Sequence, residues 1–296
     1  MTTQKRIRPF DLVINLLLGA LALITLYPFY NVLILSFSNI TAISKHTPYM
    51  WFWAWDLEGY RTIVNDPYFF SSLGNTLFVT VVGTTVNMLL SVAGAYVLSK
   101  KRLPGRGFLL TLVVIPMLFS GGLVARYMVN TQIYHLKNTY WAMILPGACS
   151  TFYVVVMRTF FQTTVPDSII ESGKIDGASQ LRIFTQLVLP ISLPVIATIG
   201  LFLTFNYWNA WYGAMLYIDS NHRDLYPLQY VLISIEKNIS FMARNEDFFR
   251  EDSMRNLPSE TMRMAIVMVV VIPIACSYPF FQRYFVGGLT IGAVKG

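Results

Sequence analysis

Six stretches of this chain carry almost no charge over lengths that few backbones can sustain in lipid. They cover residues 10–37, 71–99, 107–125, 138–157, 188–218 and 264–282. Each is near or above the ~20 residues that an α-helix needs to cross ~30 Å of hydrocarbon. Within a bilayer, backbone N–H and C=O groups must be satisfied inside the segment or in a closed barrel. The two-residue alternation of barrel strands is missing from all six runs. They predict an all-α integral membrane protein with six transmembrane helices. Composition agrees, with 55% hydrophobic and 12% charged residues, where a soluble domain carries about 25% charged. The first run follows Lys5, Arg6 and Arg8 as a signal peptide would. It is too long for one, and Leu26-Tyr27-Pro28-Phe29 offers no small-residue cleavage site, so it reads as a span.

Lysine and arginine set the expected orientation. They crowd the N-terminus and the short loop Lys100-Lys101-Arg102 to Arg106, which places both in the cytoplasm. Six spans then put the C-terminus inside as well. The loop with Arg158, Lys174 and Arg182 is also expected inside, and residues 219–263, with mixed charge, outside. The net charge of +7 is mostly this orientation signal. It lies at membrane edges rather than along one face, which argues against nucleic acid as a partner. Cys149 and Cys276 fall in or beside apolar runs and read as free buried thiols. His46, His135 and His222 are far apart in sequence, and no metal-ligand spacing joins them.

No acidic, basic or histidine side chain lies well inside any span; Asp11 sits at an edge. A proton-coupled carrier needs a titratable group at depth, so that mechanism is excluded, while sodium sites built from carbonyls and hydroxyls stay open. The polar residues within the spans are neutral, among them Asn75, Thr76, Asn87, Asn206 and Asn209. Each suits an interhelical hydrogen bond. One cluster is denser: residues 205–212 include Asn206, Tyr207, Trp208, Asn209 and Trp211. Rings that stack on sugar faces beside amides that bond hydroxyls suit a neutral, hydroxyl-rich ligand. An aromatic belt at the outer interface explains the same residues. Both readings are open. A phosphate-binding G-x-x-x-x-G-K-[ST] loop is missing, so energy for active transport has to come from another protein.

Residues 166–194 form a polar, structured island between two apolar runs. Pro166 suits a helix start with Asp167 or Ser168 capping it. Ile169, Ile170, Gly173 and Ile175 are expected on one apolar face, with Glu171 and Lys174 pointing elsewhere. Gly177 after Asp176 marks a turn that tolerates positive φ. Leu181, Phe184 and Leu187 repeat every third residue in a second helix. Pro190 and Pro194 then disturb that helix as the chain re-enters the membrane. The island could serve a partner, or could be an interfacial hairpin that only supports the bundle.

Glu171-Ser172-Gly173, Asp176-Gly177-Ala178, Phe184, Leu189-Pro190 and Pro194 resemble the EAA motif of bacterial ABC-importer permeases. The match is nearest to their carbohydrate-uptake branch, the MalG-like permeases. Asn75-Thr76-Leu77, Tyr207-Trp208-Asn209 and the tail from Val286 to Gly296 are similar to recurrent stretches of that family. The tail and Tyr226-Pro227-Leu228-Gln229 resemble the LplC-type and alginate-importer permeases, associated with oligo- and polysaccharides.

The resemblance implies a single permease domain in a bacterial cytoplasmic (inner) membrane, forming half of a heterodimeric saccharide pathway. It implies a homologous second permease, two ATPase subunits and an extracytoplasmic solute-binding protein as partners. The chain itself would catalyse nothing and bind no cofactor, with ATP and Mg carried by the ATPase. Residues 166–187 would be the coupling segment that docks on the ATPase, using Glu171, Ser172, Lys174, Asp176, Gly177, Ala178, Phe184 and Pro190. The substrate path would include Asn75, Asn206, Tyr207, Trp208, Asn209 and Trp211. The tail, with Gly292 and Lys295, would reach the ATPase. Ser172-Gly173 departs from the motif's two alanines, and glycine inside a helix costs about 1 kcal/mol relative to alanine. The alternative is a secondary transporter or facilitator for a neutral solute, with a purely structural hairpin.

Overall fold

In a computed structural model the described residues, 9–39, 55–244 and 260–293, are almost entirely helical. The one β feature among them is an isolated bridge between Ser38 and Trp55. The chain divides into two compact units, residues 1–67 with 235–272 and residues 68–234 with 273–296.

In the first unit, α1 (Pro9–Ser36) is long and apolar enough to cross a membrane. Its side chains at Phe10 and from Leu12 to Tyr30 are exposed on the chain, so lipid or another subunit must cover them. Its far end is anchored. Tyr60 Oη, on α2 (Glu58–Asn65), donates to Ser36 Oγ at 2.9 Å, and the Tyr60 ring stacks on Phe37 at 4.9 Å. Burial raises the Tyr60 phenol pKa, and the bond to Ser36 offsets part of that shift. Gly59 lies against the backbone of Thr261 and Met262, where an added Cβ would sit 3.1 Å away. Arg263 grips Glu236 through Nε at 3.0 Å and Nη2 at 2.8 Å, a fork geometry that fixes orientation as well as charge.

The second unit is organised by α3 (Phe69–Ser99), which packs along α7 (Thr151–Thr164) and α11 (Leu193–Trp208). The buried positions of α3 include Ser72, Thr76, Thr80, Gly83, Asn87, Ser91 and Ala95. Small residues recurring along one stripe let helices approach closely where lipid gives no hydrophobic drive between them. The core around this stripe joins Val79, Val92 and Leu98 to Ile144, Met157, Phe161, Ile183 and Ile199.

Among the described residues three helices pass as spans on length and apolarity, and up to six do so if each bent pair counts as one. α4 (Arg106–Leu118) turns through 112° into α5 (Leu123–Met128) and the π-turn after it, around Gly122 with φ +82°. α6 (Trp141–Ile144) tightens through Leu145–Gly147 and bends 47° into α7. The segment Gln180–Ile191 bends 78° at Ser192 into α11. α11 ends at Trp208, and α12 (Tyr212–Tyr217) follows after a break. Hydropathy cannot see such breaks, because glycine and proline interrupt helices without adding charge. The remaining long elements are α13 (Leu228–Arg244) and α14 (Glu260–Ala293), the latter with Pro273 and Pro279 inside it.

Cys149 and Cys276 are free but exposed on the chain rather than buried. In a membrane protein an apolar stretch can face lipid, so apolar context alone does not place a side chain in the core.

Candidate functional site

The island folds as a helical hairpin. α8 (Asp167–Ile175) begins after Pro166, whose φ of −65° suits helix entry. Asp167 caps nothing through its side chain. It pairs instead with Lys101 at 2.8 Å, and that hydrogen bond and charge hold its carboxyl below the ordinary aspartate range. Both partners are about two-thirds exposed, so the pair contributes little to stability. α8 closes on Gly177, φ +73°, with Ala178 N–H donating to Gly173 O at 2.9 Å. Ser179 then caps α9 (Gln180–Ile183) by accepting from Arg182 N–H. A π-turn, Phe184–Val188, and the short α10 (Leu189–Ile191) carrying Pro190 lead to the bend.

The hairpin is fixed to the bundle by its inner face. Ile183 and Val188 are fully buried, and the Phe184 ring lies 4.4 Å from Tyr96 of α3. Gly173 is buried, where a Cβ would meet Leu187 Cδ1 at 3.0 Å and Ile183 Cγ1 at 3.3 Å. The departure from alanine therefore has a reason: the two arms of the hairpin touch there. The end of α3 beneath is also finished by side chains. Arg106 and Arg158 both donate through Nε to Leu98 O at 3.2 Å, and Gln162 donates to Ser99 O at 3.0 Å. Last-turn carbonyls otherwise lack partners, and cations near them are favourable.

The outer face of the hairpin presents Glu171, Ser172, Lys174 and Asp176 to solvent. It also presents Ile175, 86% exposed, and Leu181, 71% exposed. This corrects the apolar face expected from sequence: Ile170 and Gly173 pack inward, but Ile175 does not. At about 100° per residue, Ile175 lies about 200° from Gly173, so helical spacing alone carried that signal. Leu181 is likewise uncovered, while Phe184 and Leu187 pack against the core.

The other proposed residues separate into two groups. Asn206 is exposed and donates to Tyr153 Oη at 3.1 Å. Asn209 is exposed just past the end of α11, and Trp211 stands half-buried at the start of α12, edge-on to Tyr212. Asn206 thus lies in the last turn of its helix, because α11 stops at Trp208, well before the end of the apolar run 188–218. Tyr207 and Trp208 turn inward, 7% and 4% exposed. Gly83 leaves room for the Tyr207 ring.

Asn75 also serves the fold. Its amide donates to Asp224 O at 2.5 Å and Tyr226 O at 3.2 Å, and Thr76 Oγ1 accepts from Leu228 N–H at 2.8 Å. These bonds hold the turn that starts α13. Asn75→Ala is expected to take the side-chain donor from two part-buried carbonyls and lower thermal stability by about 1 kcal/mol, read as the unfolding midpoint of the purified chain. An unchanged midpoint would refute the clamp. Gly292 lies in α14, and Lys295 falls outside the described residues.

Comparison with known proteins follows the same architecture. The family model described as binding-protein-dependent transport system inner membrane component matches residues 68–290. Protein LplC of Bacillus subtilis (strain 168) is 36% identical, with 100% of this chain and 98% of LplC aligned. The polygalacturonan/rhamnogalacturonan transport system permease protein YtcP of the same organism is 39% identical, with 98% and 99% aligned. A crystal structure of a bacterial ABC transporter involved in the import of the acidic polysaccharide alginate superposes with a TM-score of 0.80 at 28% identity. It covers 96% of this chain and 100% of the matched chain.

Proposed function

This chain belongs to the family of binding-protein-dependent transport system inner membrane components, and on that premise we propose how its parts serve an ATP-driven saccharide importer. It is a multi-pass membrane permease and a transport subunit rather than an enzyme; in this family ATP hydrolysis belongs to a separate subunit. A second permease, an ATPase and a solute-binding protein complete such systems.

In the proposed arrangement both termini and the hairpin 166–191 face the cytoplasm. Two ATPase subunits serve two permeases, and ATP with Mg binds only on the ATPase. The observation that carries the coupling role is the hairpin itself: buried and braced on one face, with Ile175 and Leu181 uncovered beside Glu171 on the other. A rigid arm with uncovered apolar tips suits docking into a groove on another subunit. ATP-driven closure of the ATPase pair would move this arm, and rocking of the helices would open the pathway to each side in turn. Closure requires ATP to bind one state more tightly than the other.

Asn206, Asn209 and Trp211, on the exposed end of α11 and the start of α12, are the residues assigned to the saccharide path. The substrate class assigned is acidic oligosaccharide from pectin- or alginate-like polymers. The names of YtcP and of the alginate importer support it.

The test is uptake into proteoliposomes holding the complete complex and its binding protein, supplied in turn with oligogalacturonate, alginate fragments and neutral malto-oligosaccharide. ATP-dependent uptake of an acidic probe is expected. Uptake of neutral probes alone would overturn the substrate class, and uptake without any ATPase would overturn the importer mechanism. Glu171→Lys reverses the charge on the docking face and is expected to cut uptake per ATP hydrolysed at least about tenfold, with the chain still inserted. Wild-type coupling in that variant would refute the docking role of Glu171.

A further inference from the structure

Where α6 gives way to α7, the helix breaks at Leu145-Pro146-Gly147 and its carbonyls lose their usual partners. Two side chains from other helices take them. Tyr207 Oη donates to Gly147 O at 3.2 Å and lies 3.4 Å from Ile144 O. Asn87 Nδ2 donates to the same Gly147 O at 2.6 Å, and Ser91 Oγ donates to Asn87 Oδ1 at 3.0 Å. The Tyr207 ring rests on Gly83, where a Cβ would stand 2.6–2.8 Å from ring atoms. The Gly147 carbonyl at this 47° bend is thus bound by α11 and α3 together.

α11 connects this point to the hairpin. Its opposite end is Ser192, fully buried, whose N–H donates to Val188 O at 3.1 Å and Leu189 O at 3.0 Å. Ile196 N–H donates onward to Ser192 O at 3.1 Å. The 78° bend between hairpin and α11 is therefore hydrogen-bonded on both sides of the joint. A sixteen-residue helix is about 24 Å long. It runs from the joint to Tyr207 at the bend in the neighbouring span.

We propose that Tyr207 and Asn87 pin the bend at Gly147 to α11 and α3, so that movement of the hairpin is transmitted through α11 to the α6–α7 span. This rests on the coupling role proposed above. Tyr207 is then a positioning residue rather than a contact of the saccharide, and Asn87 shares its task. Asn206, its neighbour on the exposed surface, would move with it.

Cys149, two residues beyond Gly147 and exposed, offers a reporter at the bend. The experiment uses the complete complex in nanodiscs, carrying Cys276→Ser and a nitroxide on Cys149. Spectra are recorded without nucleotide and after trapping with ADP and vanadate. Wild type is expected to show a line-shape change on trapping. Tyr207→Phe keeps the ring and removes the donor; Asn87→Leu removes the other donor and leaves the ring. Each is expected to assemble at normal yield and to reduce both the trapping signal and uptake per ATP by roughly 2- to 10-fold, the range for loss of one hydrogen bond. If both variants give the wild-type signal and wild-type uptake per ATP, the pin is refuted while the importer function stands. If the wild-type complex neither couples uptake to ATP nor changes on trapping, the coupling role fails and the pin fails with it.

Discussion

Leu181→Asp is expected to abolish ATP-driven uptake and to strip the ATPase from the purified complex. Leu181 is 71% exposed at the start of α9, and Ile175, 86% exposed, flanks the same turn at Gly177. Neither belongs to the core that holds the hairpin; Ile183, Val188 and Phe184 do that work. Burying a leucine against a partner stabilises by roughly 1.5–3 kcal/mol. A carboxylate forced into the same apolar seat without a partner adds a desolvation penalty of several kcal/mol. The sum, about 5 kcal/mol, weakens association by roughly 10³- to 10⁴-fold. The chain should fold normally, because the replaced side chain is already in contact with solvent. Co-purification of the ATPase and the unfolding midpoint of the permease separate the two effects. Retention of the ATPase at wild-type stoichiometry would remove Leu181 from the docking surface.

Gly83→Ala is expected to be the most damaging small substitution in α3. The new Cβ would stand 2.6–2.8 Å from Cε1, Cδ1 and Cζ of Tyr207, inside any permissible contact. The ring cannot step aside freely, since its hydroxyl is tied to the bend at Gly147. Overpacking a core of this kind costs about 1–3 kcal/mol. The expected result is a lower yield of folded protein and a lower unfolding midpoint in detergent. The pair should be strongly non-additive: with Tyr207→Ala already present, Gly83→Ala should cost nothing further, because the obstructing ring is gone. Additive losses would mean that the clash is not with Tyr207.

The hairpin was legible in the sequence because its signals are local. Pro166, Gly177 and the paired prolines act within a turn or two of their own positions, and each did what its backbone chemistry requires. Gly173 was legible only as a departure. Its cause, contact with Leu187 and Ile183, crosses the hairpin and so lies outside local propensity. Asn75 and Tyr207 show the same limit more strongly. Each reads as a polar residue in an apolar run, and that pattern is identical for a ligand contact and for a bond to a stranded carbonyl. Asn75 reaches 149 residues along the chain to Asp224, and Tyr207 reaches 60 residues back to Gly147. Only the folded chain distinguishes the two uses.

The sequence by itself determined a membrane protein made of helices, since long uncharged runs leave the backbone no other way to satisfy its hydrogen bonds in lipid. It also located the polar hairpin and, through its motif, the family. The tertiary structure decided which polar groups point inward and which stay exposed. It turned Tyr207, Trp208 and Asn75 toward the interior, left Asn206 and Asn209 exposed, and put Ile175 and Leu181 outside. The physical reason is that hydropathy records what a segment contains, while burial depends on which neighbour packs against each face. In a chain whose spans are apolar on every side, composition cannot distinguish those faces.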